Sequence, residues 1–268
     1  MNGSNGPRNG GDSPVYLVIG ANGGVGCDLT MRLANRGARV VLAGRNMDEL
    51  SVAADSIDAP CMRCDVTDFE QVRECIQEVR ATYGRLDGVA NCAGSLLLKP
   101  AHLTTEEEWL SVIAVNLSAA FATVKYASKV MMERGGSIVL VSSCAAHIGL
   151  PNHEAIAAAK AGIEGLVRSA AATYARHQIR VNCVAPGLLK TGMSRSITSS
   201  EAQMQASNDM HPLGRIGNAS DVSVVIDWLL GDDSTWVTGQ RIGIDGGLSS
   251  VRSQRVQRRT AGDAKIAV

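Results

Sequence analysis

The chain has 268 residues, enough for one large α/β domain of the size at which single cores stop growing. Its 26 basic and 26 acidic residues balance and aromatics make up 3%, which excludes a protein that gathers nucleic acid by its net field or stacks bases on an aromatic platform. Apolar runs such as "SIVLVSSCAA" are broken by serine and fall short of the roughly 20 residues that span a bilayer, and "MNGSNGPRNGGDSP" has neither the basic start nor the apolar core of a signal peptide, so a cytoplasmic location with no membrane or nucleic-acid partner is expected.

In chain order, residues 1–13 are rich in Gly and Asn and read as a disordered tail. The apolar, β-branched runs "VYLVIG", "ARVVLAG", "APCMRCDV", "LDGVANCAG", "GSIVLVSS" and "IRVNCVAPG" read as strands that alternate with helix-period segments. Thr104 or Thr105 with Glu107 or Glu108 makes a capping box that opens a long helix, and Gly135 and Gly136 stop it. A helix around "ASDVSVVIDWLLG" precedes a seventh strand, "QRIGIDGG". Repeated βα units of this kind predict a single domain over 14–247 with a doubly wound, Rossmann-like, seven-stranded parallel sheet. Residues 248–268 carry four Arg and one Lys against one Asp and read as a basic C-terminal tail.

Seven cysteines sit mostly inside apolar stretches of a chain too large to need staples, which favours free, buried thiols. "CMRC" has no second ligand pair, and a strand sends Cys61 and Cys64 to opposite faces, so no metal site is expected.

"GANGGVG" follows the first strand and opens a helix, with Gly20, Gly24 and Gly26 where a chain must turn tightly and let a pyrophosphate approach its N–H groups. With "CDVTD", "NCAG", "VNLSAAF", "VLVSS", "AAAKAGIEGL" and "VAPGLLKT" in that order, residues 15–247 resemble the short-chain dehydrogenase/reductase family. The resemblance implies a cofactor set of Gly20, Asn22, Gly24, Val25 and Gly26 in the turn, Asp65 and Val66 at the adenine, Asn91, Ala93 and Gly94, and Pro186, Gly187 and Thr191. It also implies an apolar small-molecule substrate beside Leu96, Leu97, Leu188, Leu189 and Met193, a lid between Leu188 and Gly214, and a homo-oligomer, a tetramer, that pairs helices at 105–134 and 153–176.

At the end of the second strand, where similar NAD-preferring proteins hold the ribose 2′-hydroxyl with an acid, this chain has Gly44 followed by Arg45. That pattern favours NADP(H) over NAD(H), since a guanidinium pairs well with a 2′-phosphate. The alternatives are that Arg45 only faces solvent, and that Gly23, standing where the family has a second basic residue, weakens the preference.

The family's catalytic set implies Ser143 to hold the substrate oxygen, Lys160 for the cofactor ribose and Asn116 to position a water. Its tyrosine acid belongs thirteen residues after Ser143 and four before Lys160, and that residue is Ile156. No tyrosine lies between Tyr126 and Tyr174. His153, three residues earlier on the same helix face, is an alternative proton donor or else a residue of the first helical turn. His147 is a second candidate, and Cys144 reads either as a nucleophile or as a packing thiol. Two functions therefore compete: an NADP(H)-dependent carbonyl reductase or alcohol dehydrogenase of altered mechanism, and a non-redox enzyme or ligand-binding protein that keeps the dinucleotide pocket.

Overall fold

Seven strands pair in the order β3-β2-β1-β4-β5-β6-β7, every neighbouring pair parallel. They are β1 Val15–Ile19, β2 Arg39–Gly44, β3 Cys61–Arg63, β4 Gly88–Asn91, β5 Gly136–Val141, β6 Ile179–Pro186 and β7 Arg241–Ile244. The computed structural model describes residues 13–252. Almost all of the expected N-terminal tail and most of the basic C-terminal one lie outside the described residues.

The inner strands are buried and mostly apolar because helices cover both faces of the sheet, whereas the edge strands β3 and β7 are partly exposed. One face packs residues of α3 Phe69–Tyr83, α5 Ala119–Met131 and α6 Glu154–Tyr174 against Leu17, Ile19, Val89, Ile138 and Val181. The other packs α1 Gly24–Asn35, α2 Met47–Asp55 and α8 Ala219–Leu230 against Val18, Leu42, Ala90, Val139 and Val184. Each fully buried Leu or Ile in these layers contributes about 1.5–3 kcal/mol. Cys61 and Cys64 fall on opposite faces of the sheet, as strand alternation requires.

Helix starts are set by side chains that satisfy the orphan N–H groups of the first turn. Asn46 accepts from Asp48 and Glu49 at the start of α2, and Asp68 accepts from Glu70 and Gln71 at the start of α3. The expected capping box is Thr105 with Glu108, and it opens α4 Glu106–Ile113. The helix expected to continue unbroken is interrupted: residues Ala114–Ser118 form a π-helical turn before α5 resumes. A π-turn widens the ladder by one residue, which sequence periodicity does not reveal, and it holds Asn116. Gly135, at φ 75°, then releases the chain into β5.

Residues Glu106–Met131 together are long and apolar enough to cross a membrane by length and composition alone, with a mean hydropathy of 1.4 over an 18-residue window. Ala119, Ala120, Ala122, Val124, Ala127 and Met131 on this run are buried in the domain core. The stretch from Leu188 to Gly214 contains a 3-10 turn, Gly192–Ser194, and α7 Glu201–Met210.

Candidate functional site

Because β1 is flanked by β2 on one side and β4 on the other, the chain leaves their carboxyl ends in opposite directions and a crevice opens there. The glycine-rich turn after β1 fills one wall. Gly20 adopts φ 76°, and a Cβ on it would stand 2.6 Å from the Ala93 nitrogen, so the turn reaches the end of β4 only as glycine. A Cβ on Gly26 would collide with the Gly20 carbonyl oxygen, so the turn also closes tightly on itself. Gly24 faces Thr191, whose Cγ2 is 2.8 Å from the position of a Cβ. Val25 packs into the core below.

The other wall is the segment after β4. Asn91 is buried; its Oδ1 accepts from the Ala93 N–H at 3.0 Å and its Nδ2 donates to Thr123 Oγ1 at 2.9 Å, which holds "NCAG" in place. A Cβ on Gly94 would meet Asn116 Oδ1 at 3.1 Å and Lys160 Nζ at 3.5 Å. Those three residues, far apart in the chain, thus share one spot. Asn116 is held there by bonds from its Nδ2 to Ser95 Oγ at 3.0 Å and the Val112 carbonyl at 2.9 Å.

Lys160 is 7% exposed, and its Nζ donates to the Val141 carbonyl at 2.8 Å. Burial pushes its ammonium down to about 8. Ser143 lies after β5 with its Oγ accepting from the Ala145 N–H at 3.2 Å. Cys144 is buried and its thiol is pushed up to about 11, which removes the thiolate a nucleophile needs. Beneath Lys160, one helical turn further on, buried Glu164 accepts from Ser142 Oγ at 3.0 Å and pairs with Arg241 at 3.2 Å. His147 Nδ1 lies 4.0 Å from the same carboxylate.

Ile156 is 3% exposed and packs with Val112, Ala155 and Ala159, against Leu96 and Leu97. His153 stands just before α6 rather than inside it, and its Nδ1 lies 2.7 Å from the Pro151 carbonyl.

Where the resemblance implies an adenine, Asp65 accepts from the Thr67 N–H at 2.9 Å and from its hydroxyl at 2.7 Å. These bonds, with Arg45 as a more distant cation, hold the Asp65 carboxyl below its usual range. Val66 is 5% exposed and belongs to the core, which leaves its main chain as the part able to touch a ligand. Arg45 is exposed, and Gly44 has Asn22 Oδ1 2.8 Å from the position of a Cβ.

Pro186 ends β6, and a Cβ on Gly187 would stand 2.8 Å from His211 Nε2. Buried His211, which the linear motifs do not mark, accepts from the Leu188 N–H at 3.3 Å and ties α7 to this strand end. The apolar residues expected to line one pocket divide. Leu96 and Leu97 join Ile156, whereas Leu188 lines a cavity of about 320 Å³ with His211, Leu213 and Asp245. Leu189 packs into the core, and Met193 is exposed. Adjacent residues of an extended chain point apart, which accounts for the division of Leu188 from Leu189.

Residues 20–249 match the family model described as enoyl-(acyl carrier protein) reductase. The chain is 37% identical over 245 residues to a 3-oxoacyl-acyl-carrier-protein reductase of Thermotoga maritima, covering 88% of this chain and 98% of that one. A short-chain type dehydrogenase/reductase from Mycobacterium ulcerans superposes with TM-score 0.85 at 31% identity, covering 88% and 90% of the two chains. A variant of actinorhodin polyketide ketoreductase solved with NADPH superposes with TM-score 0.86 at 28% identity, covering 90% and 99%.

Proposed function

The chain belongs to the short-chain dehydrogenase/reductase family, and from that premise we propose that it is an NADP(H)-dependent oxidoreductase acting on the carbonyl or alcohol of an apolar small molecule, with a site that works without a tyrosine. The observation that carries this reading is the meeting of Asn116 and Lys160 over Gly94, in the crevice between β1 and β4. A glycine cradle that side chains would fill, a buried cation and an exposed Arg45 at the adenosine end fit a phosphate-bearing dinucleotide.

Bound there, the nicotinamide supplies or accepts hydride. The chain's own residues then do the rest. Gly20, Asn22, Gly24, Val25 and Gly26 cradle the pyrophosphate with Thr191 closing over Gly24, while Asp65 and the main chain at Val66 flank the adenine. Asn91, Ala93 and Gly94 form the wall beside Lys160, and Pro186 and Gly187 form the opposite side. Lys160 holds the ribose, and Ser143 holds the substrate oxygen. Asn116, with Ser95 beside it, feeds a water that exchanges the proton at that oxygen. The alternative proton donor is His153, whose Nδ1 lies on the Pro151 carbonyl at the helix start and whose Nε2 is the nitrogen left to carry a proton.

A specific observation favours a second reading. Ile156 stands where the family's tyrosine acid belongs and is buried against Val112, Ala155, Ala159, Leu96 and Leu97, so a non-redox enzyme or a ligand-binding protein on the same pocket would have the same appearance. Exposed Trp109 and Leu110 on α4 and Phe121 on α5 support a homo-oligomer, which we take to be a tetramer in the cytoplasm. The test is to mix the protein with NADPH and a panel of aldehydes and ketones and follow the reduced-nicotinamide absorbance. Loss of the band supports the reductase, and an unchanged band across the panel with NADPH bound favours the second reading.

A further inference from the structure

The missing acid at the end of β2 has a counterpart that arrives from α2. Gly44 leaves a space where an acidic side chain would project, and Asn22 occupies it: a Cβ on Gly44 would stand 2.8 Å from Asn22 Oδ1. The other end of that carboxamide, Nδ2, donates to Glu49 Oε2 at 2.9 Å. Glu49 is not needed as a helix cap, because Asn46 already accepts from the Asp48 and Glu49 N–H groups. Its carboxylate is exposed and positioned by Asn22. Arg45 follows Gly44 directly and is near enough to Asp65 to lower its carboxyl. An anion and a cation therefore flank one strand end, at the place where a dinucleotide fold presents a ribose 2′-substituent.

We propose that Glu49 is a cofactor-specificity residue: held by Asn22 over Gly44, it offers an acceptor to a ribose 2′-hydroxyl and repels a 2′-phosphate, so the preference for NADP(H) is narrower than Arg45 alone would produce. This rests on the dinucleotide-binding reading above and adds to it a residue and a sign. A hydroxyl can donate to a carboxylate, whereas a phosphate near it places like charges together with only solvent screening between them. Arg45 acts in the opposite sense, by pairing with the phosphate.

The experiment titrates the full-length protein with NADPH and with NADH by nucleotide fluorescence, at low and at high salt. Glu49→Gln keeps the shape and an acceptor for Asn22 and removes only the charge. It is expected to tighten NADPH roughly tenfold at low salt, the size of effect that one unit charge has on a nearby partly solvated dianion, with NADH unchanged or slightly weaker. Added salt should shrink the gain. Asp48→Asn removes the same charge from a neighbour that Asn22 does not hold, and its effect should be several-fold smaller. The proposal is overturned if Glu49→Gln shifts both cofactors by one factor or neither, or if Asp48→Asn matches it. A wild type that binds neither cofactor overturns both this proposal and the reading it rests on. A wild type that binds NADH in preference, with Arg45→Ala changing nothing, removes only the NADP(H) preference, and a changed NADPH/NADH ratio in Glu49→Gln still upholds the role of Glu49.

Discussion

Lys160 and Ile156 lie one helical turn apart on α6, yet the lysine reaches the Val141 carbonyl at 2.8 Å while the isoleucine is sealed among Val112, Ala155 and Ala159. The polar and apolar halves of the pocket meet between them. On the proposed reading, the proton that a substrate oxygen needs comes from the polar side.

Ile156→Tyr would bring a phenol to that boundary. If the site reduces carbonyls, turnover of NADPH with an aldehyde panel should rise by up to the ~10²-fold or more that a positioned acid supplies. The larger side chain enters a packed cluster, so the variant should also lose about 1–3 kcal/mol of stability, read from its melting temperature. Absence of hydride transfer in both proteins would remove the main support for the reductase reading.

His153→Ala should leave the rate within about threefold of the parent if the water at Asn116 supplies the proton. Ser143→Ala, by contrast, should depress turnover by about 10²-fold or more through loss of the hydroxyl that holds the oxygen. A fall in rate of about tenfold or more in His153→Ala would reassign the proton to His153.

Lys160→Met should separate stability from binding. Burial lowers the ammonium from its ordinary 10.5 to about 8, and the gap between those values corresponds to about 3 kcal/mol. The unfolded chain holds this proton more tightly, so the wild type carries the full cost below about pH 8 and sheds it as the pH rises to 10.5. The variant should therefore gain stability relative to wild type at pH 7, less the lost bond to Val141, and that advantage should decline from pH 8 upwards. Denaturant melts across this range check the slope. Titration with NADPH should show weakened binding by the variant at every pH.

Gly44→Asp restores an acid at the strand end, and Arg45→Asp removes the cation. Each should move the preference towards NADH by roughly tenfold or more, through repulsion of the 2′-phosphate. In Gly44→Asp the carboxamide of Asn22 must swing away, because it stands 2.8 Å from the new Cβ. Equal affinities of the wild type for both cofactors, or NADH ahead, would contradict the NADP(H) preference.

Gly26→Ala should abolish dinucleotide binding and lower the melting temperature together. Its Cβ would meet the Gly20 carbonyl, a backbone atom that cannot turn aside as a side-chain end can. A variant that binds NADPH as the parent does would show that the turn is not the cradle.

Much of this protein is legible in its sequence where the requirement is local. The seven apolar runs, the Thr105 and Glu108 capping pair and the glycines after β1 each follow from what the backbone needs within a few residues. The order of motifs further indicates the family, and with it Asn116, Ser143 and Lys160 as candidate site residues. The π-turn at Ala114–Ser118 is not legible, since one widened hydrogen-bond ring leaves the apolar pattern nearly unchanged. Nor are the contacts of Asn22 with Glu49, of His211 with Leu188 and of Glu164 with Arg241, made across 27, 23 and 77 residues (241 − 164 = 77). Periodicity and motifs report which face or turn a residue occupies. Only the tertiary structure decides which side chain from another element stands within hydrogen-bond distance of it, because a difference of one or two ångströms in helix packing separates a bonded pair from two solvated groups.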